Sequence, residues 1–253
     1  MSLALKLVLA PVLVAQAVAT RRRAPVLPEA AGPRQGRVGD GGDALQILIA
    51  GDSSAAGVGV AHQDQALAGH LTRALYRRTG RAVHWTLHAR SGFTTRQVHA
   101  LLRTHLLQAR QAAGDTAPAP RIDAAVVVTG VNDVIDLVPP QRAVRQRAEL
   151  ADWLLSHAAA AQVVFAPLPP VHRFPLLPQP LRRVMGDDAR RHDEAMARWA
   201  ATRRDVWHVP IDFEFGIEDM APDGFHPGEP VYRACGEALA ARIATFNPKE
   251  TGP

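Results

Sequence analysis

The stretch Ile49-Ala-Gly-Asp-Ser-Ser-Ala-Ala-Gly-Val-Gly59 is an apolar run that breaks into small and polar residues. A transition of this kind serves one of two chemistries. A glycine-rich turn after a strand cradles a phosphate on its backbone N–H groups, or a sharp turn holds a serine up as a nucleophile. A dinucleotide loop needs a third glycine where this chain has His62. It also needs an acidic residue about twenty positions on to hold a ribose, and the whole stretch from Gln65 to Gly114 contains no Asp or Glu. No Walker lysine follows either. The stretch therefore reads poorly as a nucleotide loop, and residues well downstream decide whether it presents a serine.

Outward from this stretch, strand and helix patterns alternate. Leu45–Ala50 is a short buried strand, and a helix from about Gln65 to Thr79 carries Leu67, Leu71 and Leu75 on one face. Val83–Leu87 predicts a second strand and Thr95–Ala112 a second helix. Ala124–Thr129, β-branched and bounded by Gly130, is the clearest strand. A helix over roughly Arg142–Ala160, the strand Gln162–Ala166, a helix near Asp187–Arg203, the strand Val206–Val209 and the helix Pro230–Phe246 complete the pattern. Pro167–Met185 is rich in proline and predicts a long loop. Strands alternating with helices imply right-handed βαβ units and a parallel sheet covered on both faces.

The chain has 253 residues, of which 47% are hydrophobic and 21% charged, an ordinary composition for a protein with a buried core. Net charge is +5, nearly all of the positive charge coming from arginine. Eight arginines and no carboxylate lie between Gln65 and Gly114. That face is either a solvated surface paired with carboxylates elsewhere in the fold or an attractor of anionic lipid or acidic substrate. Arginine richness alone is no nucleic-acid signature, and no nucleic-acid partner is expected. A single cysteine, Cys235, excludes an internal disulfide framework.

The first twenty residues are almost wholly apolar and lead into Arg21-Arg22-Arg23. Segment 1–23 imitates a secretory signal, but three arginines directly after the apolar run resist translocation. It is also marginal for spanning a bilayer, with Pro11 interrupting its middle. Three readings stay open: a helix on the inner face of an anionic membrane, a signal cleaved on export, or a terminal helix packed on the protein's own core. The first places the protein in the cytoplasm, peripheral to the membrane. Residues 24–43, rich in Pro and Gly, read as a linker to a domain over 44–247, with a tail at 248–253.

Functional residues of an open parallel sheet gather at the carboxyl ends of its strands. Gly51-Asp52-Ser53 follows the first strand, Ser91-Gly92 the second and Gly130-Val131-Asn132-Asp133 the third. Asp223-Gly224-Phe225-His226-Pro227 lies in the loop before the last helix. On these four blocks, GDSS, SGFTT, GVND and DGFHP, the chain resembles the SGNH hydrolases, also called GDSL esterases. Ser54 stands where leucine is usual in the first block, a position at which the family varies. The resemblance covers about residues 45–246. It implies a three-layer α/β/α, flavodoxin-like sandwich with a mainly parallel sheet of about five strands, and serine ester hydrolysis.

A serine hydroxyl is a poor nucleophile until a base takes its proton, and His226 is the candidate base for Ser53. Asp223, three residues earlier in a glycine-containing turn, can fold back onto the imidazole and orient it. Taken alone, that pair also reads as a turn carboxylate and a surface histidine. The resemblance further implies that the backbone N–H groups of Ser53 and Gly92 and the side-chain amide of Asn132 hold the oxyanion. Asp52 and Asp133 read as supporting carboxylates. Ser54 is a rival nucleophile by adjacency only.

Phe93, Val134, Leu168 and Phe174 are candidate walls of an acyl pocket, or simply core anchors. No cofactor and no metal are expected: the eleven histidines form no H-E-x-x-H and there are no paired cysteines. The expected function is hydrolysis of a small-molecule or lipid carboxylic ester through an acyl-enzyme on Ser53. Carbohydrate O-deacetylation, thioester hydrolysis and a non-catalytic, membrane-peripheral lipid-binding role are the alternatives. Oligomeric state is left open.

Overall fold

A computed structural model describes residues 3–113, 121–212 and 216–246. Among these residues six strands form one sheet: β1 (Gln35–Val38), β2 (Leu45–Gly51), β3 (Val83–Ala89), β4 (Ala124–Val128), β5 (Val163–Phe165) and β6 (Val206–His208). The helices are α1 (Leu3–Arg23), α2 (Leu67–Thr79), α3 (Thr95–Ala113), α4 (Val131–Ile135), α5 (Pro140–His157), α6 (Leu181–Ala200) and α7 (Glu229–Ala244). The strand order is β1-β3-β2-β4-β5-β6, with β1 antiparallel to β3 and every other pair parallel. The sheet is thus α/β, mainly parallel and flavodoxin-like, with its order reversing between β3 and β4 around the central β2.

Alternation along the strands makes three layers. Ile47, Ile49, Trp85, Leu87 and Val126 point to one face, where Leu71 and Leu75 of α2 and Leu239 and Ile243 of α7 cover them. Leu48, Ala50, Val127, Val163 and Phe165 point to the other, beneath Val98 and Leu102 of α3, Leu150 and Leu154 of α5 and Met196 of α6. Burial on both faces explains why these strands read as continuous apolar runs.

Three expectations change. The segment 24–43 is not a featureless linker, because Gln35–Val38 pairs with Thr86–Val83 as a sixth strand. The outer edge of β3 would otherwise expose unpaired backbone groups, and a short strand satisfies them. The same segment is bound to the loop after β2: Ala30 N–H donates to Ala56 O, and Gln63 Nε2 donates to both Ala30 O and Ala56 O. Second, α1 runs through Pro11 as one helix. Third, the loop 167–185 is shorter than expected, since α6 already begins at Leu181 and Val171–Arg173 forms a 3-10 turn. The tail at 248–253 lies outside the described residues.

α1 lies against α6. Lys6 Nζ pairs with Asp188 Oδ1 at 2.5 Å, and Gln16 donates to Gln179 O and accepts from Leu181 N–H. Leu13 packs onto a small apolar cluster containing Val134, Phe174, Leu177 and Leu181. Among the described residues no helix is long and apolar enough to cross a membrane.

Candidate active site

The chain leaves β2 at Gly51, where any Cβ would fall on Val128 O of the neighbouring strand. The next residues coil tightly, with Ala56 N–H donating to Asp52 O and Val58 N–H to Ser53 O. This coil lifts Ser53 above the carboxyl ends of β2 and β4, next to the point where strand order reverses and ligands of such sheets bind. Gly59, at φ +106°, passes so close to Pro227 O that a side chain there would collide with it. The serine loop and the histidine loop are therefore pressed together, 168 residues apart in sequence.

His226 Nε2 lies 3.0 Å from Ser53 Oγ, and His226 Nδ1 lies 2.6 Å from Asp223 Oδ2. With the carboxylate accepting from Nδ1–H, Nε2 is left as acceptor for the serine proton. Asp223 Oδ1 accepts the backbone N–H groups of Phe225 and His226, each at 3.0 Å. Burial raises the Asp223 pKa, but the hydrogen bonds from the His226 ring and these two amides outweigh it and hold the carboxyl below the usual carboxylate range. A hydroxyl, an imidazole and an ionised carboxylate in this line can activate serine for acyl transfer. The ring of Phe225 meets the imidazole edge to face at 5.2 Å and Phe174 at 5.1 Å.

Asn132, on the first turn of α4, lines the same cleft. Its Nδ2 donates to Phe93 O at 3.0 Å and reaches Asp52 Oδ2 at 3.4 Å. The second contact is at the long limit for a hydrogen bond, so one amide hydrogen is only loosely held. Gly92 occupies the exposed tip of a turn closed by Phe93 N–H to Arg90 O, at φ +80°, and is not among the residues lining the cleft. The structure therefore joins Ser53, His226 and Asn132 in one cleft, buries Asp223 behind the imidazole, and leaves Gly92 outside the lining. Ser54 lines the cleft, and its N–H donates to Asp52 Oδ1 at 3.0 Å.

Both supporting carboxylates are buried. Burial pushes Asp52 up to about 7, against the stabilising Ser54 amide and the His226 charge. Asp133 accepts Thr95 N–H at 3.0 Å and Thr95 Oγ1–H at 2.6 Å, and it pairs with the guanidinium of Arg147 at 3.3 Å. Arg147 is equally buried, and its Nη2 packs where a Cβ at Gly130 would sit. The Gly130–Asp133 turn is thereby held from below. Arg147 was readable from sequence as a charge on the buried stripe Ala143, Leu150, Ala151, Leu154 of α5.

A second support comes from the segment before β1. Glu29 Oε1 accepts Ser91 N–H at 2.7 Å and Ser91 Oγ–H at 2.9 Å. Arg34 pairs with Glu29 and donates to Ala89 O at 2.6 Å. No sequence signal marked either residue, because the contact spans 62 positions.

The cleft walls differ from those expected. Phe174 lines it, with Val131, Pro169, Met220, Phe225 and Pro227. Leu168 instead lines an adjoining cavity of about 250 Å³ that shares Ser54, Pro169 and Pro227 with the cleft and is also lined by Val128, Ala166, Asp193, Val231, Tyr232 and Cys235. Val134 is buried in the cluster under α6, on the inward side of α4. Phe93 packs towards the α3 layer, with the Arg90 guanidinium 5.3 Å from its ring centre. Neither lines the cleft. Among the described residues no group of three or more His, Cys, Asp or Glu is placed to hold a metal ion.

Residues 49–234 match the GDSL-like lipase/acylhydrolase family. The chain belongs to that family. Segments 1–48, including α1 and β1, lie outside the match. Similar solved structures share the fold at low identity. A lipase from goat rumen metagenome superposes with TM-score 0.60 at 16% identity, over 80% of this chain and 98% of that one. An inhibitor-bound aryl esterase of M. smegmatis gives TM-score 0.59 at 17% identity, over 80% and 100%. A carbohydrate acetylesterase family member from Sinorhizobium meliloti gives 0.56 at 18%, over 79% and 97%. No curated protein gives a significant match.

Proposed function

We propose that this GDSL-family hydrolase cleaves carboxylic esters with an apolar acyl group through an acyl-enzyme on Ser53. The observation that carries the reading is the unbroken line from Ser53 Oγ through His226 to Asp223, at 3.0 and 2.6 Å. In the reaction Ser53 Oγ attacks the ester carbonyl while His226 Nε2 takes its proton. Asp223 keeps the ring in the productive tautomer and stabilises the imidazolium. The negative charge on the former carbonyl oxygen is met by Ser53 N–H, the Asn132 amide and, on the turn after β3, Gly92 N–H. His226 then returns the proton to the alcohol leaving group, and water repeats the sequence to release the acid.

The acyl group is assigned to the apolar side. The cleft beside the serine holds only about 20 Å³, whereas the adjoining cavity of about 250 Å³ begins at Ser54. Its lining includes Val128, Ala166, Val231 and Cys235, whose thiol burial pushes up to about 12 and so keeps neutral, while the carboxylate of Asp193 is already engaged by His208 Nε2 and Leu168 N–H. Tyr232 OH is already bonded to Val58 O at 2.7 Å. Such walls suit a hydrocarbon chain better than a sugar ring rich in hydroxyls.

The test is a chain-length series of aryl esters, an aryl-acyl thioester and an acetylated xylan on wild type and Ser53→Ala. Hydrolysis of the longer acyl esters by wild type, lost by a factor on the order of 10⁴ or more in Ser53→Ala, is expected. Activity surviving in Ser53→Ala would overturn the nucleophile. Preference for the acetylated polymer would overturn the acyl class.

A further inference from the structure

Helix α1 is apolar on nearly every side up to Arg21, and its few polar residues turn inward rather than towards water. Its side towards the body carries Lys6, Gln16 and Thr20, none of them exposed, together with Leu9 and Leu13. Two of those polar groups are used up in docking: Lys6 in the ion pair with Asp188, Gln16 in its two bonds to Gln179 and Leu181. Its outward side is Leu7, Val8, Pro11, Val12, Val14, Ala15 and Val18, all exposed and all apolar. At 100° per residue these seven positions form one continuous stripe. Leu7, Val8 and Val14 are 67%, 76% and 62% exposed, and five of the eleven exposed large apolar residues among the described residues belong to this one helix.

A helix facing water places its polar residues outward. A stripe with no polar member, on a helix anchored by polar bonds on its inner side, matches a non-aqueous neighbour. The end of the stripe names the chemistry of that neighbour. Arg21, Arg22 and Arg23 close the last turn, all exposed, and no carboxylate among the described residues pairs with them. Apolar residues followed by unpaired guanidinium groups fit acyl chains bounded by phosphates.

We propose that α1 is an interfacial helix that seats this hydrolase on an anionic lipid bilayer, its apolar stripe in the acyl boundary and Arg21–Arg23 at the headgroup phosphates. The body of the protein supplies the polar face that a free interfacial helix would need. Seating also bears on the cleft. Leu13 packs on the cluster that includes Phe174, and Gln16 holds both Gln179 and Leu181, so α1 is bonded to the segment that carries a cleft wall. Membrane seating stands independently of the hydrolytic reading, since the residues that would meet the bilayer, 7–23, lie outside the family match.

The experiment is co-sedimentation of the full chain with vesicles of phosphatidylglycerol and phosphatidylcholine, and with phosphatidylcholine alone. Two variants accompany it, Val8→Asp/Val14→Asp and Arg21→Gln/Arg22→Gln/Arg23→Gln, with thermal melts and sedimentation velocity as controls. The wild type binds the anionic vesicles and more weakly the neutral ones. Each variant weakens anionic binding on the order of a hundredfold, while its melt stays where the wild type's is. The salt sensitivity of binding disappears in the arginine variant. Absence of wild-type binding, or equal binding by the variants, would overturn the proposal. A wild-type dimer that Val8→Asp/Val14→Asp splits, with no vesicle binding, would assign the stripe to a second copy of this chain instead.

Discussion

Glu29 holds Ser91 by two bonds from a single oxygen, one to its backbone N–H at 2.7 Å and one to its hydroxyl at 2.9 Å. Ser91 and Gly92 are the central residues of the turn Arg90–Phe93, and the orientation of the peptide between them sets where Gly92 N–H points. Glycine at φ +80° is what such a turn requires at that place. Glu29→Ala releases the turn, so kcat falls by roughly tenfold with KM little changed. Glu29→Gln retains an acceptor oxygen and recovers most of it. Steady-state kinetics on a soluble aryl ester read both, and a wild-type kcat in Glu29→Ala would show that Gly92 is positioned without this brace.

Asp52 gives the fold a pH signature. Burial moves its pKa from 3.8 to about 7 in the folded protein. Between those values the folded state holds a proton that the unfolded state has lost, so this group's contribution to stability declines as pH rises through the window. Asp52→Asn cannot titrate, and its denaturation midpoint therefore changes less between pH 5 and 8 than the wild type's. A slope identical to the wild type's would mean that Asp52 stays ionised throughout.

Arg147 and Asp133 form an ion pair with neither side chain more than 1% exposed. Removing the cation alone, in Arg147→Met, leaves a buried carboxylate uncompensated and costs about 3–5 kcal/mol. Asn at 133 can still accept Thr95 N–H. The double variant Asp133→Asn/Arg147→Met therefore regains most of that loss. Urea denaturation of the three proteins measures it, and additive losses would contradict the pairing.

If the cavity adjoining Ser54 receives the acyl group as proposed, filling it shortens the chain that is accepted. Cys235→Phe adds bulk to the cavity wall. The value of kcat/KM for the longest ester hydrolysed falls at least about tenfold, while an acetate ester is unaffected, since each methylene excluded is worth about 1–3 kcal/mol. An unchanged length profile would place the acyl chain elsewhere.

Much of this was legible in the residues themselves. The chemistry-bearing blocks sit at strand ends, and strand ends are visible wherever a β-branched run stops at glycine, as at Val128 and Gly130. The sixth strand was not legible: Gln35–Val38 has no apolar alternation and exists because the edge of β3 needs a partner. Phe93 and Val134 read equally as acyl walls or core anchors for a related reason. An apolar residue beside a motif looks the same whether it faces the cleft or the core, and only the rotation of α4 and the course of the turn after β3 decide between them.

The order Ser53, Gly92, Asn132, Asp223, His226 and the alternation of elements are properties of the chain alone, because short-range periodicity and turn chemistry are written locally. The tertiary structure decided what those residues reach. The Glu29 clamp on Ser91 spans 62 positions and the Lys6 tie that turns the apolar face of α1 outward spans 182, while the Arg147 support under Asp133 spans 14. Such contacts arise from packing and from satisfying buried polar groups, and neither has a period that can be read along a sequence.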